Sequence, residues 1–145
     1  MSGGAVEVVN RQRGQQIDRE RWQAFGEQAL EMIGVQNQGA TVLFTSDRTM
    51  RKLNRDYRGK DCTTDVLSFP SEQTSFEKAS EKHLGDVVIS VEQASRQAAE
   101  HRLEMDREVA QLILHGLLHL CGYDHATDNG EMNRLELRLR RRLGI

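Results

Sequence analysis

Cysteine and proline are almost missing from this chain. Cys62 and Cys121 are the only two cysteines in 145 residues, which excludes the disulfide-dense scaffold of small secreted proteins, so both thiols are expected to be reduced. The single proline, Pro70, and the lack of any low-complexity or repeated tract leave no flexible linker, so residues 1–145 are read as one domain. No apolar run approaches the roughly 20 residues that cross a bilayer, and Met1 to Asn10 lack the basic-then-apolar order of an export signal. No membrane association and a cytoplasmic location are therefore expected. A net excess of charge is missing too: 20 Lys and Arg against 22 Asp and Glu leave a formal charge of -2, and the whole-chain balance names no polyanionic partner.

What is present is local. From Asp47 to Asp61 six cations (Arg48, Arg51, Lys52, Arg55, Arg58 and Lys60) face three acids, and Arg134, Arg138, Arg140, Arg141 and Arg142 crowd the C-terminus. Such clusters either engage phosphates or form solvated helix faces, and charge alone favours the solvated face. Ala5 to Asn10 and Ala40 to Ser46 are β-rich, while Asp18 can cap a helix with Trp22, Phe25, Ala29 and Ile33 on one side. Asp47 is expected to cap a short helix with Met50, Leu53 and Tyr57 on one side, followed by a loop from Arg58 to Thr63. A strand over Thr64 to Phe69 should then end at Pro70. Ser71 to His83 is polar and aperiodic and reads as a surface excursion before the apolar run Val87 to Val91. Helical spacing resumes at Val91, Ala94 and Ala98 and strengthens from Val109 to Leu120. Gly122 can close that helix in a left-handed conformation, and Asp128 with Glu131 forms a capping box for a last helix through Met132, Leu135, Leu139 and Leu143. The expectation is an α+β fold, a small mixed sheet packed with several helices.

Three of the five histidines fall between His115 and His125. His115 and His119 are four apart on the strongest helix, so their imidazoles share one face, and a turn at Gly122 can bring His125 to the same point. Neutral imidazoles suit zinc or a neighbouring first-row ion, and three protein ligands leave a position open for water or substrate. Cys121, two residues beyond His119, should point away from that face. His83 and His101, each isolated, are read as surface or satisfied side chains.

The spacing His-x-x-x-His-x-x-Gly-x-x-His is that of metzincin peptidases, which carry glutamate directly after the first histidine as general base. Gly116 stands there instead. Without that carboxylate the expulsion of an amine from a peptide is disfavoured, whereas an open metal still suits a phosphodiester. A second stretch, Tyr57 to Phe69, places Arg58 and Lys60 beside the predicted strand, where Arg58 can fork onto a phosphate or pair with Asp56 or Asp61.

With both stretches in view, the sequence resembles the YbeY family of endoribonucleases, also called rRNA maturation factors. The resemblance rests on His-Gly-x-Leu-His-Leu-x-Gly-Tyr-Asp-His at His115 to His125, on Tyr-Arg-x-Lys-Asp-x-x-Thr-Asp-Val-Leu-Ser-Phe at Tyr57 to Phe69, and on Leu84 to Ser90. It implies a zincin-like fold and a zinc-dependent endoribonuclease, specific for single strands, that matures the 3′ end of small-subunit ribosomal RNA and takes part in ribosome quality control. It also implies zinc, or another divalent first-row ion, at His115, His119 and His125, with Arg58 and His115 catalytic and Arg55, Arg58 and Lys60 touching RNA. Ribosomal particles, a ribosomal protein or an assembly GTPase are the implied partners. Two alternatives stand beside this reading: a metallopeptidase using a carboxylate other than residue 116, and a noncatalytic assembly factor that zinc merely braces.

Overall fold

Valine-rich segments supply four strands, β1 (Val6–Asn10), β2 (Gly39–Thr45), β3 (Val66–Pro70) and β4 (His83–Ser90). Between and after them run five helices, α1 (Arg19–Ile33), α2 (Asp47–Arg58), α3 (Val91–His101), α4 (Met105–Leu120) and α5 (Glu131–Leu143). This computed structural model describes residues 5–35, 38–71 and 83–145. The excursion expected between Ser71 and His83 lies, apart from its two ends, outside the described residues.

The strands form one sheet in the order β1-β2-β4-β3. β1 and β2 are parallel, as are β2 and β4, while β3 runs antiparallel along β4. The sheet is thus mixed, as expected. Alternation along the strands sends Val42, Phe44, Val87 and Ile89 to one face, where they meet Trp22, Leu30, Ile113, Leu117 and Leu139 in the main core. Leu43, Val88 and Leu67 point to the other face, where Met50 and Leu53 of α2 cover them. Burial on both sides is why the central strands read as continuous apolar runs.

Of the expected N-caps only Asp18 is found, and at α5 the cap is Gly130, with Asp128 accepting from the Gly130 and Met132 amides in place of a capping box with Glu131. Asp18 accepts from the Arg21 amide at the start of α1. At α2 the cap is Ser46, whose hydroxyl accepts from the Thr49 amide, and Asp47 is released for another task. Its carboxylate accepts from Ser90 Oγ at 2.7 Å, Thr63 Oγ1 at 2.9 Å and Arg96 at 2.6 Å. These bonds tie the start of α2 to the loop behind Arg58 and to the β4–α3 junction. β3 starts at Val66 rather than Thr64, because Asp65 folds its carboxylate onto the Val66 amide and gives its carbonyl to the Ser90 amide. Helical spacing from Val91 to Leu120 is also interrupted: Arg102 adopts a left-handed φ of 57° and separates α3 from α4.

Burial pushes the Asp47 carboxyl upward, but the bonds from Ser90, Arg96 and Thr63 outweigh it and hold the group below its ordinary value. A carboxylate depressed on folding stabilises above its unfolded pKa and loses that contribution as the pH falls through its folded one. Asp47→Asn should therefore lower the thermal midpoint by a few degrees at neutral pH, and the gap from wild type should shrink below about pH 4. Melting curves by circular dichroism at pH 7 and pH 3 check this; a gap as wide at the lower value would contradict it.

Candidate active site

α4 builds the site from its periodicity. Leu114, Leu117 and Leu118 are fully buried, and this fixes the helix so that His115 and His119 emerge together, partly exposed, on its outer face. Their Nε2 atoms face one another at 3.1 Å. Two nitrogens bound to one tetrahedral zinc at its usual bond lengths stand about 3.3 Å apart, so the pair is already spaced for a shared ion. Burial, then the neighbouring His115, lower the pKa of His119 against an opposing contribution from the Tyr123 backbone, which favours the neutral, ligand-competent imidazole.

Beyond α4 the chain turns at Gly122, whose φ is 97°, a conformation open to glycine without strain. The turn delivers His125 to the same corner, its ring stacked 5.5 Å from that of His115 and edge-on to that of His119 at 6.2 Å. Asp124 accepts from the Ala126 amide at 2.9 Å and caps the turn. Cys121 packs against the main core, and burial pushes its thiol up to about 11, so it offers no thiolate.

The fourth member of the corner is Glu136 of α5, a residue that the sequence did not single out. Only 4% exposed, it accepts from His115 Nδ1 at 3.0 Å and from Arg140 at 2.9 Å, and its Oε1 lies 3.9 Å from His125 Nε2. Ligand-type atoms of His115, His125 and Glu136 all lie within 4.8 Å of one another, a group able to hold a metal ion. Desolvation raises the Glu136 pKa, but His115 and Arg140 outweigh it, so the carboxylate stays ionised in its buried place. A carboxylate on Nδ1 fixes the His115 tautomer and presents Nε2 toward His119, the usual arrangement behind a metal-bound imidazole.

A cleft of about 530 Å³ opens beside the imidazoles, with Tyr57, Arg58, Asp65, Ser68, Tyr123 and Asp124 on its walls. Of the three cations expected to meet RNA, only Arg58 lines it. Arg55 pairs with its neighbour Asp56, and Lys60 is exposed outside the cleft walls. Asp61, one of the two acids considered for Arg58, is taken by Arg51 at 2.8 Å. Among the described residues Arg58 has no ion-pair partner. Tyr57, on the same side of α2 as Met50 and Leu53, is 57% exposed, its ring 4.3 Å from that of Phe69. The cleft thus combines an unpaired guanidinium with an exposed aromatic ring.

Gly116, where the peptidase base would stand, packs against the sheet. Ser68 donates to its carbonyl at 3.0 Å, and a Cβ at 116 would meet Val87 Cγ1 at 2.5 Å. Position 116 therefore has no room for a carboxylate side chain.

The family model described as Endoribonuclease YbeY matches residues 7–144. The chain belongs to the YbeY family. Relatives named Endoribonuclease YbeY include one from Aquifex aeolicus, 42% identical over 118 residues that span 81% of this chain and 77% of the relative. Another, from Geobacter sulfurreducens, is 36% identical over 136 residues, 93% of this chain and 91% of the relative. A solution structure of a Thermotoga maritima protein shares the fold, with a TM-score of 0.61 at 22% identity over 92% of this chain and 85% of that one.

In this YbeY-family corner Glu136 makes a testable contribution. Glu136→Gln keeps the shape and removes the charge behind His115, so zinc affinity should fall about tenfold to a hundredfold, the usual cost of losing such a partner. Competition against a zinc-buffering chelator measures it, and an affinity equal to wild type would remove Glu136 from the site.

Proposed function

We propose that this chain is a single-strand-specific, metal-dependent endoribonuclease that matures the 3′ end of small-subunit ribosomal RNA. Zinc would be held by Nε2 of His115, Nε2 of His119 and the imidazole of His125. The observation that carries this reading is the pair of facing Nε2 atoms 3.1 Å apart, backed by a buried carboxylate and opening onto the cleft that Arg58 lines. When bound, such an ion polarises a phosphoryl oxygen and lowers the pKa of a coordinated water toward neutrality.

The chain's own groups supply the rest. Arg58 presents a planar fork to a phosphate and neutralises charge that grows on its oxygens. Tyr57 offers a flat face on which an unpaired base can stack, which suits a single strand and not a closed duplex. Glu136 holds His115 in register through Nδ1. A peptide substrate fits less well, since position 116 has no room for a base and the Asp124 carboxylate is spent on its turn. The formal charge of -2 gives little nonspecific hold on RNA at physiological salt, which favours delivery of the substrate on a ribosomal particle, with a ribosomal protein or assembly GTPase as a further partner.

The test is cleavage of defined single-stranded and duplex RNAs of the same sequence by zinc-loaded protein freed of contaminating nuclease. Internal cuts in the single strand alone are expected. Binding of ribosomal RNA without turnover would point to the noncatalytic assembly role.

A further inference from the structure

We infer that a second cleft, on the other side of His115 from Arg58, is a base-recognition subsite for a nucleotide flanking the scissile phosphate, read by the side-chain amides of Gln97 and Gln111. This rests on the endoribonuclease reading above and adds to it a source of sequence preference.

The polar face of α4 does not stop at the histidines. Going back toward its N-terminus, His119 and His115 are followed by Gln111 and Glu108, each about one turn further on. Gln111 and Glu108 line a cleft of about 490 Å³ that shares Asp65, Val66 and His115 with the Arg58 cleft. The two clefts therefore meet at the imidazole corner, and a strand whose phosphate sits there has neighbouring nucleotides directed into both.

Their chemistry differs. Arg140 is the one Lys or Arg on the walls of the second cleft, and it is already bound to Glu136. With Asp65 and Glu108 also present, this is no cradle for a phosphate. Leu103, Leu112 and Val66 give it apolar walls for the faces of a ring. Gln97 and Gln111, both half-buried, offer amide donors and acceptors, and neither side chain has a hydrogen-bond partner among the described residues. Side-chain amides pair with the edges of bases through a donor and an acceptor at once.

His101 adds a third polar group. Glu108, 3% exposed, accepts from its Nδ1 at 2.8 Å, so Nε2 is the nitrogen left for a ligand. A cleft of this volume, with apolar walls and a few fixed polar groups, matches a small planar ligand such as a nucleobase.

The experiment uses the zinc-loaded full chain, as wild type and as the Gln97→Ala/Gln111→Ala double variant, on single-stranded RNA randomised on both sides of the cleavage position. Sequencing of both product ends gives the base preference at each flanking position. The wild type should show a preference at one or two positions on one side, and the variant should lose about fivefold to tenfold of it, the worth of one or two neutral hydrogen bonds. Zinc content, thermal midpoint and the preference on the other side should not change. The two single variants lie on separate helices and give the same reading if the double variant fails to fold. A variant profile identical to wild type, or a wild type with no preference on either side, overturns the subsite and leaves the endoribonuclease reading standing. Zinc-loaded wild type that cuts no RNA overturns that reading, and the subsite with it.

Discussion

Replacing His119 with alanine is expected to weaken zinc binding sharply and to lower RNA cleavage with it. The imidazole is partly exposed on α4, so the helix keeps its buried leucines and the protein should stay folded. One of the two facing Nε2 atoms is lost, and what remains is His115, His125 and a Glu136 carboxylate already engaged with His115 Nδ1 and Arg140, a poorer set of ligands for the ion. Cleavage should then fall about a thousandfold or more, the several kcal/mol that an electrophilic ion contributes to a phosphoryl transition state. His115→Ala should do the same and also leave the buried Glu136 carboxylate without its imidazole donor, so its melting temperature should fall further than that of His119→Ala. Metal analysis, melting curves and product formation on the same preparations check both statements. Full-rate cleavage by protein shown to be metal-free would remove the histidine corner from the mechanism.

Arg58→Glu should separate chemistry from metal binding. Arg58 lies in the cleft without an ion pair among the described residues and touches none of the three histidines, so zinc content should equal wild type. Cleavage should drop about a hundredfold to a thousandfold, as when one preorganised donor is taken from a developing oxyanion. Arg58→Lys should recover only part of that loss, because an ammonium keeps the charge without the planar fork. Single-turnover rates at saturating RNA distinguish a defect in the reaction from one in binding, and rates equal to wild type would exclude Arg58 from the site.

The parts of the site that were legible in the sequence are those set by local spacing. His115 and His119 follow from helical phase and His125 from a turn that glycine permits, whereas Arg58 stands out through the family resemblance of the stretch beside the predicted strand. Glu136 was not legible. It lies twenty-one residues from His115 along the chain, on a helix dense in charge, and nothing local marks which of its acids turns inward. Helical spacing groups Tyr57 with Met50 and Leu53 but does not tell how deeply each is buried: Met50 is fully buried, whereas Tyr57 is 57% exposed and meets Phe69 of the edge strand. The break between α3 and α4 escaped for a related reason: Arg102 takes the left-handed conformation usually given to glycine, so no residue type announces it. The strands, by contrast, are set by runs of valine and by apolar alternation, which act over a few residues at a time.

The contact of Gly116 with the sheet also bears on ancestry and redesign. Zinc hydrolases that attack peptides differ from this motif by a single codon's worth of chemistry at that position, yet the change is closed to stepwise mutation here, since even alanine would drive the helix off Val87. Any lineage crossing between the two activities would first have to trim the strand opposite, and an engineer seeking proteolysis from this scaffold would have to begin at Val87, not at the motif.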